Sequence, residues 1–174
     1  AASVDFAGLY RSLQKIPQLS LRNVTINLHT FDGELLSFSD GLATIANRDD
    51  THYLHANLSL ADSPEEMALS VEVTGNELAD MGGQMHVELP HADYSELFHR
   101  QTLEDLSVGE MLGGGHFWLT FAGGELSEFT SEFELDTLAL LSSASDSLSL
   151  RDLSGRVGLV RQSFDDSWEL SLSD

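Results

Sequence analysis

The sequence has no cysteine, 3 prolines and only 8 basic residues against 29 acidic ones. Each scarcity excludes something. Without cysteine there is no disulfide framework, thiol nucleophile or thiolate metal site, and the redox compartment is left undecided. A net charge of −21, with Lys15 the only lysine, argues against a nucleic-acid partner and against an anionic membrane surface, because phosphate binding needs Lys and Arg. No apolar run reaches the about 20 residues that cross a bilayer. The longest uncharged stretch of the second half, Met111 to Gly124, is glycine-rich and contains His116. The chain begins Ala1-Ala2-Ser3, so a processed or excised chain is expected, with any signal peptide or membrane anchor lying outside it. What is present is a core-forming composition. An apolar fraction of 41% with 9 Phe is too rich for a disordered acidic tail, and 174 residues suit one domain with a real interior.

Most of the chain alternates with period two. Apolar residues recur at Leu54, Ala56, Leu58 and Leu60, at Met67, Leu69, Val71 and Val73, and at Met85, Val87 and Leu89. The pattern returns at Phe117, Leu119 and Phe121, at Phe129, Phe133 and Leu135, and at Trp168, Leu170 and Leu172. Glu72, Glu88, Glu132, Glu134 and Glu169 stand between them. One greasy and one wet face is the signature of antiparallel strands. Turn signals separate the runs at Asp32-Gly33, Asp40-Gly41, Asn47 to Asp50, Asp62 to Glu65, Gly75-Asn76, Gly123-Gly124 and Asp165-Asp166. The reading is a mostly β chain, an antiparallel meander of about ten to twelve strands. Helical spacing occurs twice. Phe6, Leu9, Tyr10 and Leu13 predict a helix within residues 1–16 that stops at Pro17. Asp93 and Glu96 resemble a capping box that opens a second short helix near 93–101. Residues 17–174 then form a single β-rich domain.

A hexapeptide recurs. Leu19-Ser20-Leu21-Arg22-Asn23-Val24 is echoed by Leu148-Ser149-Leu150-Arg151-Asp152-Leu153, either by coincidence or as the mark of stacked strand modules.

Motifs that carry chemistry are scarce. There is no Gly-x-Ser-x-Gly elbow, His-Glu-x-x-His helix or Gly-x-x-x-x-Gly-Lys loop. Gly113-Gly114-Gly115 has no lysine after it and enters a strand, so it reads as a strand-leading turn or bulge. Asp49-Asp50-Thr51-His52-Tyr53-Leu54-His55 offers metal-ligand residue types, but in a strand His52 and His55 point to opposite faces, and an acidic hairpin tip explains the carboxylates. Glu132 and Glu134 share a strand face, as wet-face acids commonly do. The other histidines, His29, His86, His91, His99 and His116, show no shared spacing. No catalytic residue, metal site or cofactor is expected, and no enzyme.

The strand sequences carry a family likeness. The Leu-x-Leu-x-[Asp/Asn]-[Leu/Val] strand at Leu19 to Val24, the glycine-led Trp-Leu strand at Gly115 to Leu119, the Leu-Ser-Gly-x-[Val/Leu] strand at Leu153 to Val157 and the Trp-x-Leu pair at Trp168 to Leu170 resemble the AsmA-like superfamily of Gram-negative envelope proteins, of the YhdP type. The likeness spans about residues 17–172; the strong acidic excess departs from it. It implies a curled, groove-like sheet, taco-shaped and open along one side, within a longer protein anchored in the inner membrane. It further implies a periplasmic location, phospholipid acyl chains and neighbouring segments of the same protein as partners, and lipid guidance between the two membranes. Candidate groove-lining positions are Leu54, Ala56, Leu58, Leu69, Val71, Val73, Phe117, Leu119, Phe121, Phe133 and Leu135. Ordinary core is the competing reading for each of them. The competing function is a secreted β-sandwich that binds carbohydrate or protein, its apolar face sealed by a second sheet.

Overall fold

A computed structural model describes residues 12–29, 35–60, 66–75, 77, 80–95, 102–103, 106–142, 147–162 and 167–173. The strands are β1 (Gln18–His29), β2 (Leu35–Arg48), β3 (Thr51–Leu60), β4 (Glu66–Thr74), β5 (Gly82–Asp93), β6 (Thr102–Leu103), β7 (Leu106–Ala122), β8 (Glu125–Ser142), β9 (Ser147–Arg161) and β10 (Trp168–Ser173). They form one 10-stranded antiparallel sheet in the order β1-β2-β3-β4-β5-β7-β8-β9-β10, with β6 paired to the start of β7. The order is the chain order, a meander. β1 and β10 do not meet, so the sheet is not closed into a barrel.

The period-two runs fall in strands as their alternation predicts, and two-residue turns join two pairs of strands where expected. The turns expected at Asp32-Gly33, Asp62 to Glu65, Asn76 and Asp165-Asp166 lie outside the described residues. Arg48 pairs with Thr51 across Asp49-Asp50, and Ala122 pairs with Glu125 across Gly123-Gly124. The φ values of +60° and +76° at the two glycines suit the primed turn that matches strand twist. Two expectations change. Asp40-Gly41 is not a turn but lies inside β2, and of the turn or bulge expected at Gly113 to Gly115 the bulge is found, in mid-strand in β7 rather than at its start. Both belong to bulges, and the bulges align.

Following the register across the sheet, Asn23 is the extra residue between the Arg22–Leu42 and Val24–Gly41 pairs. Asp40 and Gly41 lie beside Leu58. Pro90 and His91 interrupt β5 between the Leu89–Gly115 and Ala92–Gly113 pairs. Asp136 interrupts β8 opposite Gly113 and, on its other side, faces Asp152 of β9. One crease therefore runs across the strands. Each extra residue shifts the alternation by one, which lets strands as long as 17 or 18 residues keep their apolar residues on one side. Asn23, Asp40 and Asp152 have φ of 55°, 52° and 50°, a left-handed conformation that Asn and Asp tolerate best after glycine. Gly113 has φ 150°, and a Cβ there would stand 2.3 Å from the Glu134 carbonyl oxygen. The repeated hexapeptide is thus explained: its Asn23 and Asp152 carry the same backbone conformation on the same crease.

The first expected helix is described only from Ser12. Ser12 to Ile16 make tight turns, with Ile16 N–H donating to the Leu13 carbonyl at 3.1 Å. Phe6, Leu9 and Tyr10 lie outside the described residues. At the second site, the Asp93 carboxylate accepts from the Ser95 amide at 2.9 Å, as a cap would, and also from the Ser95 hydroxyl. Residues 96–101 lie outside the described residues.

Candidate functional site

The register assigns every side chain to a face. Leu54 pairs with Val71 and Ala56 with Leu69; Val71 pairs with Met85 and Leu69 with Val87. Met85 and Val87 pair in turn with Leu119 and Phe117, and Phe121 is level with Gly83, the partner of Val73. Leu119 then faces Phe129, while Phe133 and Leu135 continue the same side of β8. All the groove candidates therefore share one face, from β3 across to β8, and Leu58 joins them opposite Met67. The face is also the buried one. Phe38, Ala56, Leu58, Val73 and Leu135 are among the most buried side chains, and so are the polar His52 and Ser131 on the same side. On the other face Leu42, Tyr53 and Val160 are exposed. Among the described residues no second sheet lies over either side, so burial on one side only marks a sheet curled toward that side. Within the curl, the Phe117 and Phe129 rings approach to 6.4 Å in a tilted pair. Toward the β10 edge the apolar row is open: Trp168, Leu170 and Leu172 rise from 44% to 72% exposed.

One end of the apolar face is finished by polar groups. The Asn47 side-chain amide donates to the carbonyls of Leu13, at 2.8 Å, and Ile16. Its carbonyl oxygen therefore faces the His52 Nδ1, 2.8 Å away, which places the proton on Nδ1. The Gln14 amide nitrogen lies 3.2 Å from His52 Nε2 and donates to it. His55 points to the opposite face and meets the Ser70 hydroxyl at 3.0 Å. The stretch from Asp49 to His55 is thus split between a turn, a buried network and the outer face.

The outer face carries Glu72, Glu88, Glu132, Glu134 and Glu169, each alternating with an apolar neighbour. Arg156 offsets Glu132 at 3.4 Å, Arg161 pairs with Glu125, and His91 meets Asp136 at 3.0 Å. Such exposed pairs contribute about 0–1 kcal/mol each. The Asp93 carboxyl is held below its ordinary range by the Ser95 hydroxyl and then by the Ser95 amide, both donating to it. Where the crease passes β5, β7 and β8, this face holds a cleft of about 740 Å³ over the backbone of Gly114 and Gly115, walled by Glu88, His116, Glu134 and Arg156. A smaller cleft of about 350 Å³ lies beside Tyr53, His55 and His86. Between them His86 and His116 are brought together, with Trp118 against both rings. Spacing in the sequence does not show this cluster, because it depends on which residues of β5 and β7 are level.

A single open sheet with one buried apolar face and one acidic face defines a groove-type β protein. Residues 3–174 match the family described as YhdP protein, and the chain belongs to that family. No curated protein and no solved structure matches it.

Proposed function

We propose that this chain is a periplasmic section of a longer, inner-membrane-anchored AsmA-like protein and guides phospholipid between the inner and outer membranes. The observation that carries this reading is the shared apolar face: Leu54, Ala56, Leu58, Leu69, Val71, Val73, Phe117, Leu119, Phe121, Phe133 and Leu135 form one side of a sheet without a second layer among the described residues. Acyl chains laid along it gain about 0.8 kcal/mol per methylene removed from water, while headgroups stay wet at the open side. The role is passive guidance, with no reaction and no cofactor. Strands about 4.8 Å apart give some ten strands a span of about 50 Å, long enough to hold acyl tails but short for a bridge between membranes, so neighbouring segments of the same protein would continue the path. The sandwich alternative needs a second sheet to seal the apolar face, and the described residues form only one.

The test is lipid extraction and native mass spectrometry of the protein purified from Gram-negative cells, combined with photocrosslinking from Val71 or Phe117. Co-purifying phospholipid, with crosslinks from these positions but not from Ser70 on the outer face, is the expected result. Absence of both lipid and crosslink would overturn the reading.

A further inference from the structure

The outer face holds a second arrangement that the groove does not use. His86 Nε2 and His116 Nδ1 are 3.3 Å apart. Their ring planes differ by 3° with centroids 5.5 Å apart. That separation is too wide for a face-to-face stack when the two nitrogens are this close, so the rings are coplanar and meet edge to edge. Trp118 lies nearly parallel to both, at 18° and 21°, and covers one side of the pair. In the free protein one proton shared between the two nitrogens accounts for the contact.

The same spacing is that of two ligands on one ion. Nitrogens held about 2.0–2.1 Å from a tetrahedral Zn²⁺ stand about 3.3 Å from each other. We propose that His86 and His116 form a binding site for a divalent transition-metal ion of the Zn²⁺ or Cu²⁺ type, which imidazole nitrogens suit. The ion takes the place of the shared proton, which moves to the far nitrogen of its own ring so that both imidazoles stay neutral, and a rotation of each half-buried ring brings both lone pairs onto the ion. No set of three ligands is preassembled among the described residues, so the other positions go to water and to one carboxylate that swings in. Glu88 is placed for this. It lies directly across from His116 and two residues along β5 from His86, on the same face. It is exposed and makes no ion pair among the described residues. Glu132, on the other side of His116, is held by Arg156. Access is open, because His116 borders the larger cleft and His86 the smaller one. Trp118 supplies the apolar flank that limits water on one side of the ion.

The experiment titrates the whole 174-residue chain with ZnCl₂ by calorimetry, and with CuCl₂ while following Trp118 fluorescence in a Trp168→Phe background. One saturable ion per chain is expected, with Cu²⁺ quenching Trp118. His86→Asn and His116→Asn should each weaken binding by at least about tenfold, and Glu88→Gln by a smaller factor. His55→Asn and His91→Asn should leave binding unchanged. The ring substitutions lie on the outer face, and circular dichroism of the free variants checks that the sheet is intact. Absence of saturable binding, or binding that survives either His86→Asn or His116→Asn, would overturn the proposal. Neither result bears on the lipid reading, which concerns the opposite face.

Discussion

The two faces of this sheet are built from the same strands and the same backbone, yet they differ in nearly every property that side chains control. On the curled side Leu58 and Ala56 are 4% exposed. One residue along the chain, on the other side, Asn57 and Ser59 are in partial contact with water, and Tyr53 is 38% exposed. The difference teaches that burial here comes from curvature. In a single layer, bending toward one side crowds that side and spreads the other. The acids on the spread side then keep an otherwise greasy sheet in solution and discourage strand edges from pairing with other chains.

Substitutions can break this contrast in graded steps. The largest effect is expected for a charge on the curled side. Leu58→Asp should cost about 4 kcal/mol or more in urea unfolding, because a buried carboxylate has no partner there. Ser70→Asp, on the outer face, should stay within about 0.5 kcal/mol. If the two cost the same, the faces are not different environments. Truncation comes next. Leu58→Ala should lose about 2–4 kcal/mol through the cavity it leaves. Leu172→Ala lies on the same face but is 72% exposed at the open edge, and should change stability by less than about 0.5 kcal/mol. That pair separates curvature from mere membership of the apolar face.

The crease gives a smaller expected effect. Asp152→Val forces a β-branched residue into φ 50° and should cost about 1–2 kcal/mol, whereas Asp152→Gly should be nearly neutral. If valine is tolerated, the bulge is not what holds the apolar phase through β9. The smallest effect concerns Asp93. Its carboxyl is held below the ordinary value of 3.8, chiefly by the Ser95 hydroxyl. A lowered folded-state value contributes stability above the unfolded-state value, and that contribution disappears as pH falls through the folded one. The stability difference between the wild type and Asp93→Asn should therefore be present at neutral pH and close below about pH 3.8 in acid titration followed by tryptophan fluorescence.

Much of the fold was legible from periodicity alone, since alternation reports which side chains share a face without reference to any partner strand. Leu69, Val71 and Val73 could be grouped from their spacing, and so could Phe117, Leu119 and Phe121. That the two groups lie on the same face of one sheet depended on β5 sitting between them in register. Asp40-Gly41 misled because Asp-Gly is a turn signal locally, while here the same left-handed conformation serves a bulge. The signal that could have revealed it was the hexapeptide repeat, which places Asn23 and Asp152 at equivalent breaks in alternation. His86 and His116 were invisible as a pair, being 30 positions apart.

Strand character, the segregation of greasy and acidic faces and the lack of a basic surface for nucleic acid were all fixed at the level of sequence. These follow from residue type and local spacing, which act over a few positions of the chain. The pairing of distant strands was needed to curl the apolar face, with no second sheet behind it among the described residues, to align the bulges into one crease and to bring two distant histidines together against a tryptophan. The physical reason is register. Long-range pairing sets which residues stand level across neighbouring strands, and that information resides in the sum of many cross-strand contacts rather than in any one stretch of sequence.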